Sequence, residues 1–220
     1  MIATSDITIP DWIKEEHKTG TTIVAAEFNG GVIIAADSRT TTGAYVANRV
    51  TDKITPLADR IFCLRSGSAA DTQAIADIVK YHLEFHEMET GSSPLVNTAA
   101  HLAKSIIYNN KERLLASVMV AGWDSYKGGQ VYVVPISGMI VRKSIYISGS
   151  GSIYAMGYLD AFYKPNMEKN ECLEIVKNAV AMAIARDGSS GGCIRFAVVT
   201  DKGVERNVIL NTELPRFYEN

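Results

Sequence analysis

The 220-residue chain carries a formal net charge of −2, with 47% hydrophobic and 21% charged residues. That balance fits a globular protein with a sizeable core and excludes a disordered chain. It provides no basic footprint for nucleic acid, and no apolar run reaches the roughly 18 to 20 residues that span a bilayer. Glu15, Glu16, His17 and Lys18 interrupt the N-terminal segment, so the apolar stretch of a secretory signal is missing. Cys63, Cys172 and Cys193 lack metal-like spacing and leave an odd one if paired. They predict reduced, mostly buried thiols in an intracellular protein.

The first 20 residues hold Pro10, mixed charge and no sustained period, and end at Gly20. From Thr21 the pattern changes. TTIVAAEF and GVIIAAD are short, β-branched and apolar, and Asn29-Gly30-Gly31 between them predicts a hairpin. Further extended stretches are expected over 44–50 and 60–65. Ile75, Ile78, Val79 and Leu83 then recur at helical spacing, as do Leu102, Ile106 and Ile107, with a break around Gly91-Ser92-Ser93-Pro94. Strand character returns over 117–123, 130–136 and 144–148. A helix over 173–185 is expected to present Leu173, Val176, Val180 and Ile184 on one face and to stop at DGSSGG (187–192). IRFAVVT and VERNVIL close the chain as a hairpin around Asp201-Lys202-Gly203. The apolar stretch over 153–163 fits a partner contact and core packing equally. Without strict β-α-β alternation, antiparallel sheets with helices outside are favoured over a doubly wound parallel sheet. The economical division is a leader, 1–20, and one domain, 21–220.

The histidines give little conventional hydrolytic chemistry. His17 lies in the leader, and His82, His86 and His101 fall on the two central predicted helices. Neither a G-x-S-x-G elbow nor an H-E-x-x-H motif occurs. His82 and His86 share an i,i+4 face that Glu89 could extend into a metal site. However, Leu83 stands where a zinc protease needs its glutamate, and the segment reads equally as a solvated helix face.

A hydroxyl on the first residue of a chain can instead use its own α-amino group as general base. An unperturbed α-amine titrates at about 7.7 to 8.0, close to working pH, which suits the task. Such chemistry needs a Thr, Ser or Cys directly after a cut, with a small residue before it. Gly20-Thr21 supplies both, although the same dipeptide also reads as a turn entering a strand.

GTTIVA, GGVIIAADSRTTTG, RSGSAADTQ and DGSSGG follow in order. Through these motifs the whole of 21–220 resembles the catalytic β-type subunits of the proteasome, members of the N-terminal-nucleophile hydrolases. The resemblance implies an α+β fold, a four-layer αββα sandwich of two antiparallel sheets flanked by helices. It implies a threonine endopeptidase acting on unfolded or ubiquitin-targeted proteins, with no cofactor and no metal. Thr21 is then the nucleophile, and Lys53 is the buried lysine whose charge keeps the amine neutral. Asp37 is the carboxylate partner of Lys53, and Gly67 presents its N–H to the oxyanion. Ser150, Asp187 and Ser190 resemble the group that orients the amine and a water, with Ser148 and Ser152 as alternative registers for Ser150. The bond between Gly20 and Thr21 is the expected cleavage site, cut by Thr21 itself, so that the leader masks the enzyme as a zymogen.

Arg65 aligns with the base of the pocket for the residue before the scissile bond, and Thr40, Thr41 and Thr51 are its polar lining. This resembles the caspase-like, post-acidic subunit; alternatively, Arg65 is a strand-end surface charge. The implied partners are other β-type subunits in a seven-membered ring, an adjacent α-type ring, a second β ring and assembly chaperones. The implied location is cytoplasm and nucleus. Two other readings stay open at this point: a non-catalytic ring subunit, and an N-terminal-nucleophile amidohydrolase acting on small molecules.

Overall fold

The structure, a computed structural model, describes residues 20–217. The expected leader therefore lies outside the described residues, except for Gly20.

Strands β1 (Ile23–Phe28) and β2 (Gly31–Asp37) form the predicted hairpin through Asn29 and Gly30. Their alternate side chains enter two different cores. Val24, Ala26, Ile33 and Ala35 face one core, and Ile23, Ala25, Ile34 and Ala36 face the other. Burial on both faces is the reason these strands read as continuous apolar runs.

The next strands are β3 (Thr40–Thr42), β4 (Tyr45–Asn48), β5 (Ile54–Ala58) and β6 (Ile61–Gly67). Helices α1 (Ala69–Thr90) and α2 (Val96–Asn109) follow, then β7 (Ala116–Asp124), β8 (Gly128–Val134), β9 (Val141–Arg142) and β10 (Ile145–Ser148). Helices α3 (Ser152–Phe162) and α4 (Lys169–Arg186) precede the closing hairpin of β11 (Ile194–Thr200) and β12 (Gly203–Ile209). One antiparallel sheet has the order β10-β1-β2-β11-β12 and the other β5-β6-β7-β8-β9, with β3-β4 as a separate small ribbon. The sheets meet over Ile34, Leu64, Met119 and Val199. Helices α3 and α4 cover the first sheet, and α1 and α2 the second. This is the expected four-layer αββα sandwich.

Several details differ from the sequence expectation. Strand β5 contains Pro56 and shows no clean alternation. It survives because it is an edge strand, where a missing N–H is tolerated, with an irregular register between Pro56 and Ala58. On α1, Ile75, Val79 and Leu83 are buried, but Ile78 lies on the outer face beside Tyr81 and Phe85. In the 153–163 stretch Ala155 and Leu159 enter the core, while Ile153, Tyr154, Met156 and Phe162 are exposed. All three cysteines are buried and unpaired, and burial pushes the Cys63 and Cys172 thiols up to about 12. Among the described residues no group of three or more His, Cys, Asp or Glu side chains is placed to hold a metal.

The entry to α2 is organised from a distance. Its N-cap, Leu95, has no capping side chain, and the Asp124 carboxylate instead accepts the Val96 N–H at 3.0 Å. Asp124 also accepts from Tyr126 N, Lys127 N and Gln130 Nε2. Burial pulls this carboxyl upward, but the four donors outweigh burial and hold it below the usual carboxylate range. A depressed folded value means stability that is present at neutral pH and disappears as pH falls through that value. Asp124→Asn should therefore lose about 1–3 kcal/mol at pH 7, and its gap to the parent should close below about pH 4. Denaturant unfolding across pH measures both, and a gap independent of pH would contradict the charge-based account.

Candidate active site

The sheet register brings four chain segments to one end of the sandwich. Ile23 at the head of β1 pairs with Ala36 and with Ser148 at the end of β10, and Asp37 at the end of β2 pairs with Ile194 at the head of β11. Thr21-Thr22, the turn after Ser148 and the loop before Ile194 therefore converge. The second sheet contributes from below: Lys53 immediately precedes β5, and Arg65 and Gly67 end β6. Residues as distant in sequence as Thr22 and Ser190 become neighbours only through this pairing.

Asp37 and Lys53 form a buried ion pair, Lys53 Nζ donating to Asp37 Oδ1 at 2.6 Å. Thr22 N donates to the same oxygen, while Arg39 N and Gly191 N donate to Oδ2. Burial pulls the Lys53 ammonium below the usual lysine range, and the Asp37 carboxylate opposes that fall. The second acceptor of Lys53 Nζ is the Gly20 carbonyl at 3.1 Å, which also takes the Thr21 hydroxyl at 2.7 Å. Hydroxyl, carbonyl and ammonium thus meet at one point, an arrangement that places an oxygen nucleophile beside a polarised electrophile.

Ser150 resolves the register left open among three serines. Its Oγ accepts the Thr21 N–H at 3.1 Å and donates to Asp187 Oδ2 at 2.7 Å. Ser190 Oγ donates to the same carboxylate oxygen at 2.6 Å, and Ser189 N reaches Oδ1. Gly67 lies in the same narrow cleft, about 20 Å3, with Thr21, Lys53, Arg65, Thr40 and Thr51. Its φ of 110° and the close approach of the Leu115 carbonyl leave no room for a side chain. Thr40 and Thr51 share a hydroxyl–hydroxyl bond of 2.8 Å. Arg65 donates through Nη2 to the Asp52 carbonyl, and its buried Nε has no hydrogen-bond partner among the described residues.

All the residues expected at the site therefore come together. Thr41, expected as pocket lining, is buried and instead accepts the Gly20 N–H through Oγ1. Two others were missed: Ser38 Oγ accepts the Cys193 N–H, and Arg39 Nη1 donates to the Gly188 carbonyl. They sit in the quoted ADSRTTTG motif, which was the available signal, but no spacing reveals their partners. Gly20 is small for a steric reason as well: a Cβ there would strike Ser189. Larger hollows occur elsewhere, one of about 500 Å3 between α4 and the C-terminal segment near Leu214 and Phe217.

Two antiparallel sheets between helix layers, with a threonine at the head of a central strand, define the class of N-terminal-nucleophile hydrolase folds. A family model described as "Proteasome subunit" matches residues 17–199. The chain is 53% identical over 210 residues to proteasome subunit beta type-6 of Dictyostelium discoideum, spanning 96% of this chain and 98% of that one. It is 53% identical over 204 residues to proteasome subunit beta type-9 of Bos taurus, spanning 93% of both. With the beta type-9 subunit of Salmo salar it shares 48% over 210 residues, 96% of both. The chain belongs to the proteasome subunit family, as a β-type member. The family consists generally of threonine protease hydrolases, whose subunits assemble in rings.

The buried pair makes a direct prediction. Lys53→Met leaves the Asp37 charge buried without its cation and should cost about 3–5 kcal/mol. Lys80→Met, which removes an exposed i,i+4 partner of Glu84, should cost no more than about 0.5 kcal/mol. Chemical unfolding of the two purified variants compares them, and equal losses would show that burial of the pair is energetically unimportant.

Proposed function

We propose that this chain is the precursor of an active threonine endopeptidase subunit, cutting peptide bonds after acidic residues. Residues 1–20 are its leader, released when Thr21 attacks the Gly20 carbonyl. The observation that carries the reading is the double hold on the Gly20 carbonyl oxygen by Thr21 Oγ1 and Lys53 Nζ. Attack by Oγ1 on the Gly20 carbonyl carbon breaks the Gly20–Thr21 amide and forms an ester. Water then hydrolyses the ester, releasing the leader carboxylate and leaving Thr21 with a hydroxyl and a free amine.

In the cut enzyme the freed amine is the general base, taking the hydroxyl proton as Oγ1 attacks a substrate carbonyl. It returns that proton to the leaving amine, and water resolves the acyl-enzyme ester to regenerate Thr21. Lys53, paired to Asp37, supplies positive charge beside the hydroxyl and disfavours a protonated amine. Ser150, with Asp187 and Ser190 behind it, holds the nitrogen. Gly67 donates its N–H to the oxyanion. The substrates are unfolded polypeptides, including ubiquitin-targeted ones. The subunit acts in the cytoplasm and nucleus, within a seven-membered β ring that is stacked on an α ring and on a second β ring, and assembly chaperones attend its insertion.

Arg65 supports the acidic preference. Arg65 lines the cleft beside Thr21 and has no carboxylate partner among the described residues, and Thr40 and Thr51 add polar lining. A substrate carboxylate there gains a charge-assisted bond.

Thr21→Ala should leave the Gly20–Thr21 bond uncut by the chain's own chemistry and abolish post-acidic cleavage in assembled particles. Mass spectrometry of the chain and a peptide assay read the two effects. A mutant that is still processed and active would return the chain to the non-catalytic ring subunits. Arg65→Leu should move the cleavage preference from acidic to apolar residues, by tenfold or more if one charge-assisted pair of about 1.5–3 kcal/mol is lost. Peptide profiling checks it, and an unchanged profile would remove Arg65 from the pocket.

A further inference from the structure

Thr22, the residue after the expected nucleophile, is fully buried, yet it makes two polar connections, one through its main chain to the ion pair and one through its hydroxyl that the ion pair does not require. Its N–H donates to Asp37 Oδ1 at 2.8 Å, and its hydroxyl lies 2.7 Å from Ser190 Oγ. The direction of the second bond follows from proton counting. Ser190 has one hydroxyl proton, which goes to Asp187 Oδ2 at 2.6 Å, because an ionised carboxylate only accepts. Ser190 Oγ must therefore accept, and Thr22 Oγ1 donates. A hydroxyl that accepts such a bond becomes a stronger donor to the next group in the chain. Ser150 approaches Asp187 Oδ2 from the other side and holds the Thr21 nitrogen.

The surroundings make this a built contact. Gly151 abuts the Thr22 hydroxyl and Ser190 Oγ so closely that a Cβ there would collide with Thr22 Oγ1. Thr22 is also anchored to both carboxylates of the site, to Asp37 through its main chain and to Asp187 through Ser190. A residue fixed at two points immediately after Thr21 limits the freedom of the Thr21 nitrogen and hydroxyl.

We propose that Thr22 is a positioning residue for the reaction at Thr21, its hydroxyl completing the chain Thr22–Ser190–Asp187–Ser150 that holds the reacting nitrogen. The inference rests on the protease reading above. It gives Thr22 a role separate from packing, because valine has nearly the same shape as threonine but lacks the donor.

The test compares Thr22→Val with Thr22→Ser in assembled particles, using a peptide with an acidic residue before the scissile bond. Rates are expressed per chain that mass spectrometry shows to begin at Thr21. Thr22→Val should lower kcat about tenfold, the scale of one misplaced hydrogen bond, and leave KM within about twofold. Thr22→Ser, which restores the donor, should recover most of the loss, and leader removal should follow the same order. An unchanged kcat in Thr22→Val overturns the proposal. So do equal losses in the two variants, whether of turnover or of leader removal, because they assign Thr22 to packing alone. The two readings fail differently. A parent particle with no cleavage that Thr21→Ala abolishes defeats the protease reading itself. An active parent with an equally active Thr22→Val defeats only the role of Thr22.

Discussion

The ion pair between Asp37 and Lys53 is the constraint around which this end of the molecule is arranged. Asp37 is fully buried and Lys53 is 5% exposed, so neither charge is solvated to any useful degree. Desolvating two charges costs several kcal/mol each, and mutual attraction offsets this only when the remaining hydrogen-bonding capacity is filled. Here it is filled by the protein. Three backbone N–H groups complete the Asp37 carboxylate, and the Gly20 carbonyl takes a further Lys53 proton. Satisfying one buried carboxylate thus fixes the start of β1, the end of β2 and the loop before β11 relative to one another. Lys53 extends the same constraint to the second sheet.

A second acidic group, Asp187, does comparable work on the other side of Thr21 without a cation in direct contact among the described residues, although it also attracts the Lys53 ammonium from a distance. Its partners are two serine hydroxyls and a backbone N–H. The two carboxylates thus have different characters. Asp37 anchors charge beneath the Gly20 carbonyl, and Asp187 anchors a chain of neutral hydroxyls around the Thr21 nitrogen. Thr22 is bonded to both systems, which makes it the mechanical link between them. The sandwich makes such precision possible because these residues sit at or near strand ends in sheets of fixed register.

The legibility of these features in the sequence varied with their physical origin. The β1–β2 hairpin was plain, because Asn-Gly between two β-branched runs is a local signal. The α1 boundary at Gly91 was equally local. Strand β5 was missed because Pro56 and a register irregularity erase its alternation, and its existence depends on pairing with β6. Helix α3 left no helical period to read in the sequence, because its apolar residues lie nearly all round. The start of α2 shows no local cap because its acceptor, Asp124, comes from the end of β7.

By itself the sequence determined the local conformations that carry a local signal, the apolar runs that must be buried on both faces, and the set of polar residues available for chemistry. Through its motifs it also pointed to Thr21, Asp37, Lys53, Gly67, Asp187, Ser190 and the Arg65 pocket. Tertiary structure decided which of three alternating serines reaches the Thr21 nitrogen, because that choice depends on how the turn after β10 meets the head of β1, and only sheet register sets it. It also decided that Thr22, an ordinary residue in an apolar run, shares a hydrogen bond with a serine 168 positions away. Hydrogen bonds act over about 3 Å of space and carry no trace in sequence separation, so these partners emerge only when the two sheets close over the Asp37–Lys53 pair.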